Sequence, residues 1–192
     1  MGSPNAKNVA IGKPLATGGV LKAPLTTALP ISEAAALLPA HVAVGYISDA
    51  GVTESTSTDS SSIVAWGGDT VRKVQTSHDV TYAFEMIEVN GVSTGIYYGE
   101  ANVVATVAGP AVGAKLAIKV TAAELLHFQW VLEISDGLRR GRIILPDGQV
   151  TERGDVTYLN DDAVKYPVTV TAYPDATGTK AYIFWNDGVF VP

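Results

Sequence analysis

From His41 onward the chain alternates apolar and polar residues in short runs parted by Gly, Asn and Asp. A period of two broken by turn residues is the pattern of antiparallel β-sheet. The first run is 41–48. The clearest is 79–89, where Val80, Tyr82, Phe84 and Met86 take one face and Thr81, Ala83 and Glu85 the other. That division predicts a strand buried on one side. In the same way Phe128, Trp130, Leu132 and Ile134 alternate with His127, Gln129, Val131 and Glu133. Asp136-Gly137 then predicts a tight turn into a strand over 138–145. Pro146-Asp147-Gly148, Asn160-Asp161-Asp162 and the stretch from Asp175 to Gly178 mark turns before strands over 149–156, 165–173 and 180–185. The sum is about eight or nine strands, and the fold class is mainly β: an antiparallel sandwich or open barrel.

Two stretches break this texture. Residues 1–40 hold five of the ten prolines and no sustained period of either kind, which predicts an extended N-terminal arm ahead of a single β domain over 41–192. Within the arm, Ser32-Glu33-Ala34-Ala35-Ala36-Leu37-Leu38 combines an N-cap residue, an acidic first turn and a terminating Pro39, and so predicts a short helix. A free arm of this composition lacks the apolar surface to hold itself in place, so a neighbouring subunit is expected to hold it. The second stretch is 49–78. Between Gly51 and Ser62 eight of twelve residues are Ser or Thr, which predicts a long loop or an extended hairpin reaching beyond the core. Elsewhere, Val92, Ile96 and Tyr97 fall at helical spacing within 91–99, and Thr121-Ala122-Ala123-Glu124 has capping-box form. Each predicts a short helix on the sheet.

Length and charge narrow the function. A chain of 192 residues with 47% hydrophobic content supports one sizeable core. No apolar run reaches the roughly 18 residues of a membrane span, and no basic-then-apolar leader opens the chain, so membrane insertion is not expected. The absence of cysteine excludes disulfides and thiolate metal sites, and His41, His78 and His127 are scattered without ligand spacing. The net charge of −6 opposes a nucleic-acid grip, which needs clustered Lys and Arg. That charge is uneven, because residues 1–32 carry Lys7, Lys13 and Lys22 and no acidic residue.

Catalytic chemistry finds no footing. No Walker loop or GxGxxG is present, and Gly67-Gly68-Asp69 is a turn signal without phosphate-cradling spacing. Glu85 and Glu88 fall on opposite faces of one strand, and Asp161-Asp162 sits in a turn, so neither pair makes an acid and base. No catalytic residue, cofactor or metal is expected. Of the three tryptophans, Trp130 lies on an apolar strand face and reads as core, whereas Trp66, ahead of Gly67-Gly68, and Trp185 are candidates for a surface anchor or a carbohydrate platform.

The series Ala23-Pro24-Leu25-Thr26-Thr27-Ala28-Leu29-Pro30, Val44-Gly45-Tyr46-Ile47-Ser48-Asp49-Ala50-Gly51-Val52-Thr53 and Ala65-Trp66-Gly67-Gly68-Asp69-Thr70-Val71-Arg72 carries a further signal. Continued by 80–88 and by Tyr97-Tyr98-Gly99, it resembles the major tail tube proteins of phages with long non-contractile tails (siphophages), particularly phages of actinobacteria. The likeness covers 14–104. Such proteins often add a C-terminal immunoglobulin-like domain, for which these 192 residues leave no room.

The resemblance implies a non-enzymatic virion protein, assembled in the host cytoplasm, whose hexameric rings stack into a tube for DNA ejection. It also implies a tape measure protein, a tail terminator and distal tail proteins as partners. On that basis Lys13, Lys22, Asp49, Trp66, Gly67, Gly68 and Arg72 are candidates for contacts between rings. Thr81, Ala83, Glu85, Gln129 and Glu133 are candidates for the lumen wall, where small, polar and acidic side chains let DNA pass without binding. The nearest alternatives are a head-tail joining or tail terminator ring and, from another class, a carbohydrate-binding sandwich.

Overall fold

Alternation decides which residues pair, and bulges decide where the sheet bends. The computed structural model describes residues 4–5, 8–15 and 19–189. Its strands are β1 (Lys13–Pro14), β2 (Val20–Ala23), β3 (Val42–Ala43), β4 (Ile47–Val64), β5 (Thr70–Met86), β6 (Val103–Thr106), β7 (Lys115–Ile118), β8 (His127–Asp136), β9 (Arg139–Arg153), β10 (Tyr166–Tyr173) and β11 (Tyr182–Asn186). One helix, α1 (Gly91–Tyr98), follows β5, and a single 3-10 turn (Glu100–Asn102) follows α1. The main sheet is antiparallel with the order β3-β2-β8-β9-β10-β5-β4; β1 also pairs with β8 and β11 with β9, while β6 and β7 form a separate hairpin.

The sheet curls over its own core. Strands β8 and β5 stand three places apart, which in a flat sheet would separate them by about 14 Å. Instead the rings of Phe84 on β5 and Trp130 on β8 meet edge to face with centroids 5.9 Å apart. The surface enclosed by this curl is the apolar face read from the sequence: Val80, Tyr82, Phe84 and Met86 with Trp130, Leu132, Val168 and Val170, all buried. The ends of the curl do not pair with each other, so the barrel stays open.

Beneath α1 the cap is built from Asn90, whose Oδ1 accepts from the backbone N–H groups of Val92 (2.8 Å) and Ser93 (2.9 Å). Two of the four orphan donors of the helix are satisfied in this way. Ser93 to Ile96 face inward, and Tyr97 and Tyr98 pack on Tyr166 with centroids 5.4 and 6.2 Å apart.

Four expectations are revised. The turn at Pro146-Asp147-Gly148 does not end a strand; β9 runs through it as one element. Phe128 pairs with Gly148 and Trp130 with Leu145, so Pro146 and Asp147 bulge opposite Gln129. Proline, lacking an N–H, is tolerated at such a bulge. Ser32 to Leu38 make one turn and no helix, and the carbonyls of Ser32 and Ala35 accept from Arg142. Thr121 to Glu124 stay non-helical, with Thr121 Oγ1 accepting from Asn102. Within 1–40, β2 joins the central sheet and buries Val20 and Ala23, so the domain's own core begins ahead of His41.

The region 49–78 takes the second of its two expected forms. It belongs to the β4–β5 hairpin, in which Ser57 pairs with Asp79 and Val64 with Thr70. β10 accompanies β5 only as far as Val80, so beyond that point the two strands project alone. The projecting part, eight pairs of residues at about 3.3 Å each, reaches roughly 25 Å from the sheet. Thr76 and Val71 are unpaired bulge residues within it, and Gly51, with φ at 71°, sits at the wider irregularity near its root.

Gly148 offers a test of the packing. A Cβ there would lie 2.7 Å from Trp130 Cδ1 and 2.9 Å from Val170 Cγ1, and the indole N–H of Trp130 donates to the Gly148 carbonyl at 3.0 Å. Gly148→Ala is expected to lower the free energy of unfolding by about 1–3 kcal/mol, measured by urea denaturation followed by tryptophan fluorescence.

Candidate assembly surface

Four features of the surface stand out. The first is the outer face of the sheet formed by β4, β5, β10 and β9. Register sets Thr53 beside Ala83, Ala83 beside Thr169 and Thr169 beside Glu152, with Ser55, Thr81 and Thr171 in the next row and Glu85 beside Pro167. Thr151 and Thr171 share a hydroxyl contact at 2.7 Å. Every member is small or polar, and the only charges in these rows are the carboxylates of Glu85 and Glu152. Arg153 is drawn away: its guanidinium donates to the Tyr97 carbonyl at 3.2 Å and lies over the Tyr97 ring. Lys165, at the margin, is ion-paired with Asp162 at 2.8 Å. Its pKa is raised, first by Asp162 and further by the fields of Glu85 and Asp49.

Thr81, Ala83 and Glu85 therefore share one half-exposed face with residues that periodicity alone did not single out, namely Thr169, Thr171, Thr151 and Glu152. The signal was present in the alternation of Pro167, Thr169 and Thr171 against Val168 and Val170. Gln129 and Glu133 are not on that face. They lie on the non-core side of β8, under residues 24–41, which cross back over it as a strap. Gln129 is fully buried, accepts from His41 Nε2 at 2.7 Å and donates to the Thr27 carbonyl at 3.2 Å. Glu133 stands opposite Arg142 and is ion-paired with it, and the same guanidinium donates to the carbonyls of Ser32 (2.8 Å) and Ala35 (2.7 Å). Val131, fully buried between them, was the residue whose apolar character marked this face as covered.

The second feature is an edge. β4 ends the sheet, is 18 residues long, and is exposed at every position after Ser48. Such an edge presents a row of unpaired backbone groups.

The third is the hairpin tip. Ala65 and Asp69 close it through a 2.8 Å backbone bond, with Gly68 at φ 91° in the left-handed region that glycine adopts without penalty. Trp66 is fully exposed at 105%. Gly67, Gly68 and Arg72 are exposed around it. At the hairpin's root, Lys180 donates to the His78 carbonyl and to Asp79 Oδ1 (3.3 Å), fixing the direction in which it leaves the sheet.

Lys13 and Asp49 are also exposed, but Lys22 is not: its ammonium is ion-paired with Glu100 and lies 4.3 Å from the centre of the Phe128 ring. An aliphatic stem in the core with a satisfied head explains its burial at 6% exposure.

The fourth is a cleft of about 470 Å³ where the open ends of the curl approach, between β1 and β8 on one side and the start of β4 on the other. Leu15, Val20, Val52, Ile134 and Ile143 give it an apolar lining. Two buried polar atoms in its wall, Ser48 Oγ and the Tyr82 hydroxyl, have no hydrogen-bond partner among the described residues. Burial pushes the Tyr82 pKa up, and the carboxylate of Glu54, close but outside hydrogen-bond geometry, adds to the shift. Among the described residues no cluster of His, Asp or Glu is placed to hold a metal ion, and no helix is long and apolar enough to cross a membrane.

Comparison with known proteins gives these features a context. The model of a family described as phage tail tube protein matches residues 3–190, which makes this chain a structural component of a bacteriophage tail. More narrowly, it belongs to the phage tail tube proteins. Among solved structures, the cryo-EM structure of the anti-feeding prophage cap, described as a tube terminating cap, is similar at 9% identity and a TM-score of 0.43, over 92% of this chain and 94% of that one. A comparison with curated proteins finds no match.

The strap's anchor is testable. Arg142 is 5% exposed and its partner Glu133 12% at the side chain. Removing one member of a buried pair leaves an uncompensated charge, here with the Ala35 carbonyl deprived of its donor besides. Arg142→Ala is expected to cost about 3–5 kcal/mol in stability, with hydrogen-exchange protection lost first in residues 24–41.

Proposed function

We propose that the chain polymerises as stacked hexameric rings into the tube of a long non-contractile phage tail, the conduit through which DNA is ejected. The observation that carries this reading is β4, an 18-residue strand exposed along nearly its whole length at the open end of a sheet. Single chains rarely leave so long an edge unpaired, because it templates the addition of further strands. A copy of the same chain completes the ladder, and repetition around an axis joins the four-stranded sheets into one inner barrel.

In that barrel the outer face of Thr53, Thr81, Ala83, Glu85, Thr169 and Glu152 becomes the lumen wall. Hydroxyls keep it wetted, and two carboxylates per copy keep phosphate at a distance. Head-to-tail stacking draws on the hairpin tip, with Trp66, Gly67, Gly68 and Arg72, and on Lys13 and Asp49. A tape measure protein inside the tube and terminator and distal tail proteins at its ends complete the tail, with assembly in the host cytoplasm.

Electron microscopy of the purified chain is expected to reveal long hollow filaments of uniform diameter. Isolated rings would favour a terminator or joining protein, and a monomer at all concentrations would end the proposal. Lumen polarity has its own test. Tubes of a Glu85→Lys, Glu152→Lys double variant should retain linear DNA at low salt and release it as salt rises, while native tubes retain none.

A further inference from the structure

Trp185 belongs neither to the core nor to the surfaces assigned to assembly. It sits on β11 opposite Gly141 of β9 and keeps 54% of its surface exposed. The missing side chain of Gly141 is what seats it. A Cβ there would lie 2.7 Å from Trp185 Cζ3 and 2.9 Å from both Cε3 and Cη2. Near-equal distances to three consecutive ring atoms mean that the six-membered ring lies face-on over the glycine, since an edge-on approach to Cζ3 would leave its two neighbours much farther off. One face of the indole is fixed against backbone, and the other is turned outward.

Trp185 forms one wall of an open depression of about 610 Å³, and the other walls are Asn8, Ala10, Arg139, Asn186 and Asp187. That is the size of a small-ligand site. Its polar groups are held in place and only partly used. Asn186 donates to Glu33 Oε1 (2.9 Å) and accepts from the Gly188 N–H (2.9 Å), so its amide is committed. Asp187 accepts from the Val189 N–H through Oδ1 (2.9 Å), which leaves Oδ2 open among the described residues. Arg139 donates to the Val9 carbonyl from Nη1 (3.1 Å) and makes no ion pair there, so most of its five N–H donors remain. The side chain of Asn8 is unbonded among the described residues.

An aromatic face beside amide, carboxylate and guanidinium groups matches a pyranose ring. The C–H groups on one side of such a sugar form an apolar, weakly positive patch that suits the negative face of an indole. Its hydroxyls radiate outward, and each can donate and accept. Asp187 accepts, Arg139 donates and Asn8 does both, the combination that neighbouring hydroxyls require. The charges of the walls cancel, one guanidinium against one carboxylate, which favours a neutral sugar over a phosphate or a uronate. An anchor for a protein partner would be ringed by apolar residues, whereas Ala10 is the only apolar neighbour of the indole in this depression.

We propose that Trp185 and the depression beside it form a binding site for a neutral pyranose oligosaccharide, with one sugar ring stacked on the indole and its hydroxyls held by Asp187, Arg139 and Asn8. β11 pairs with the half of β9 that β10 leaves free, so the site stands apart from the β4 edge and from the hydroxyl-lined rows of β5 and β10. It does not depend on how copies of the chain assemble.

Saturation-transfer NMR on the full chain with cellotriose, chitotriose, maltotriose and mannotriose at millimolar concentration is expected to give signal on the ring C–H protons of at least one. For that sugar, Trp185→Ala should weaken binding about tenfold or more, and Trp185→Phe should restore part of the loss. Trp66→Ala, at the hairpin tip, should change nothing. Asp187→Ala leaves the stacked ring in place and should also weaken binding, which separates loss of the site from loss of the fold. No transfer to any of the four sugars, or transfer that survives Trp185→Ala, overturns the site. Binding of a heparin disaccharide that depends on Arg139 and not on Trp185 replaces it by an anion site. Filaments lost with Trp185→Ala, while the native chain binds no sugar, make the indole a contact between copies and also overturn it. Sugar binding by a chain that forms no filaments upholds the site and leaves the tube reading to fall alone.

Discussion

Unpaired backbone is the constraint on which this architecture turns. The sheet buries its apolar face by curling, which brings Phe84 onto Trp130, but curling does not bring β4 to a partner. A long strand is left with one satisfied edge. The sequence of β4 answers the hazard by composition, because a row of Ser, Thr, Asp and Glu residues is slow to join foreign apolar edges while its backbone remains open to a matching strand. The chain belongs to the phage tail tube proteins, structural components of a multi-subunit tail.

The opposite end of the sheet is closed by different means. There the proline-rich strap supplies carbonyls, and β8 and β9 supply the donors that hold them: Gln129 to Thr27, Arg142 to Ser32 and Ala35. A segment without regular secondary structure must satisfy its polar backbone through side chains. The Glu133 carboxylate pairs with the Arg142 guanidinium and aims it while it does so. One side of the sheet is thus covered by the chain itself, whereas on the other β4 keeps an open edge.

Strand identity was legible in the sequence wherever one face was apolar. Tyr82 and Phe84, or Val168 and Val170, mark strands because burial selects every second residue. Three features were not legible in this way. Pro146-Asp147-Gly148 has the chemistry of a turn, yet it forms a bulge within β9, where Gly148 leaves room for the Trp130 ring. Gln129 and Glu133 carry polarity that reads as exposure, whereas their partners stand 102 and 9 residues away in the chain. Lys22 was a contact candidate by resemblance, and Glu100, 78 residues on, accounts for its burial. The exposure of Trp66, ahead of its two glycines, was readable because an aromatic at a glycine turn has no strand face to hide in. The cleft was not, since it is assembled from β1, β4, β5 and β8.

The hairpin's bulges carry one further consequence. Along 53–62 neighbouring residues are chemically alike, so sliding one strand past the other by two positions would exchange Ser for Ser or Thr and change little in side-chain contacts. The unpaired Thr76 and Val71 remove that freedom, because their kinks fit only one alignment. The projection thus holds Trp66 at one fixed reach from the sheet, as a notch holds a sliding rule at a single setting.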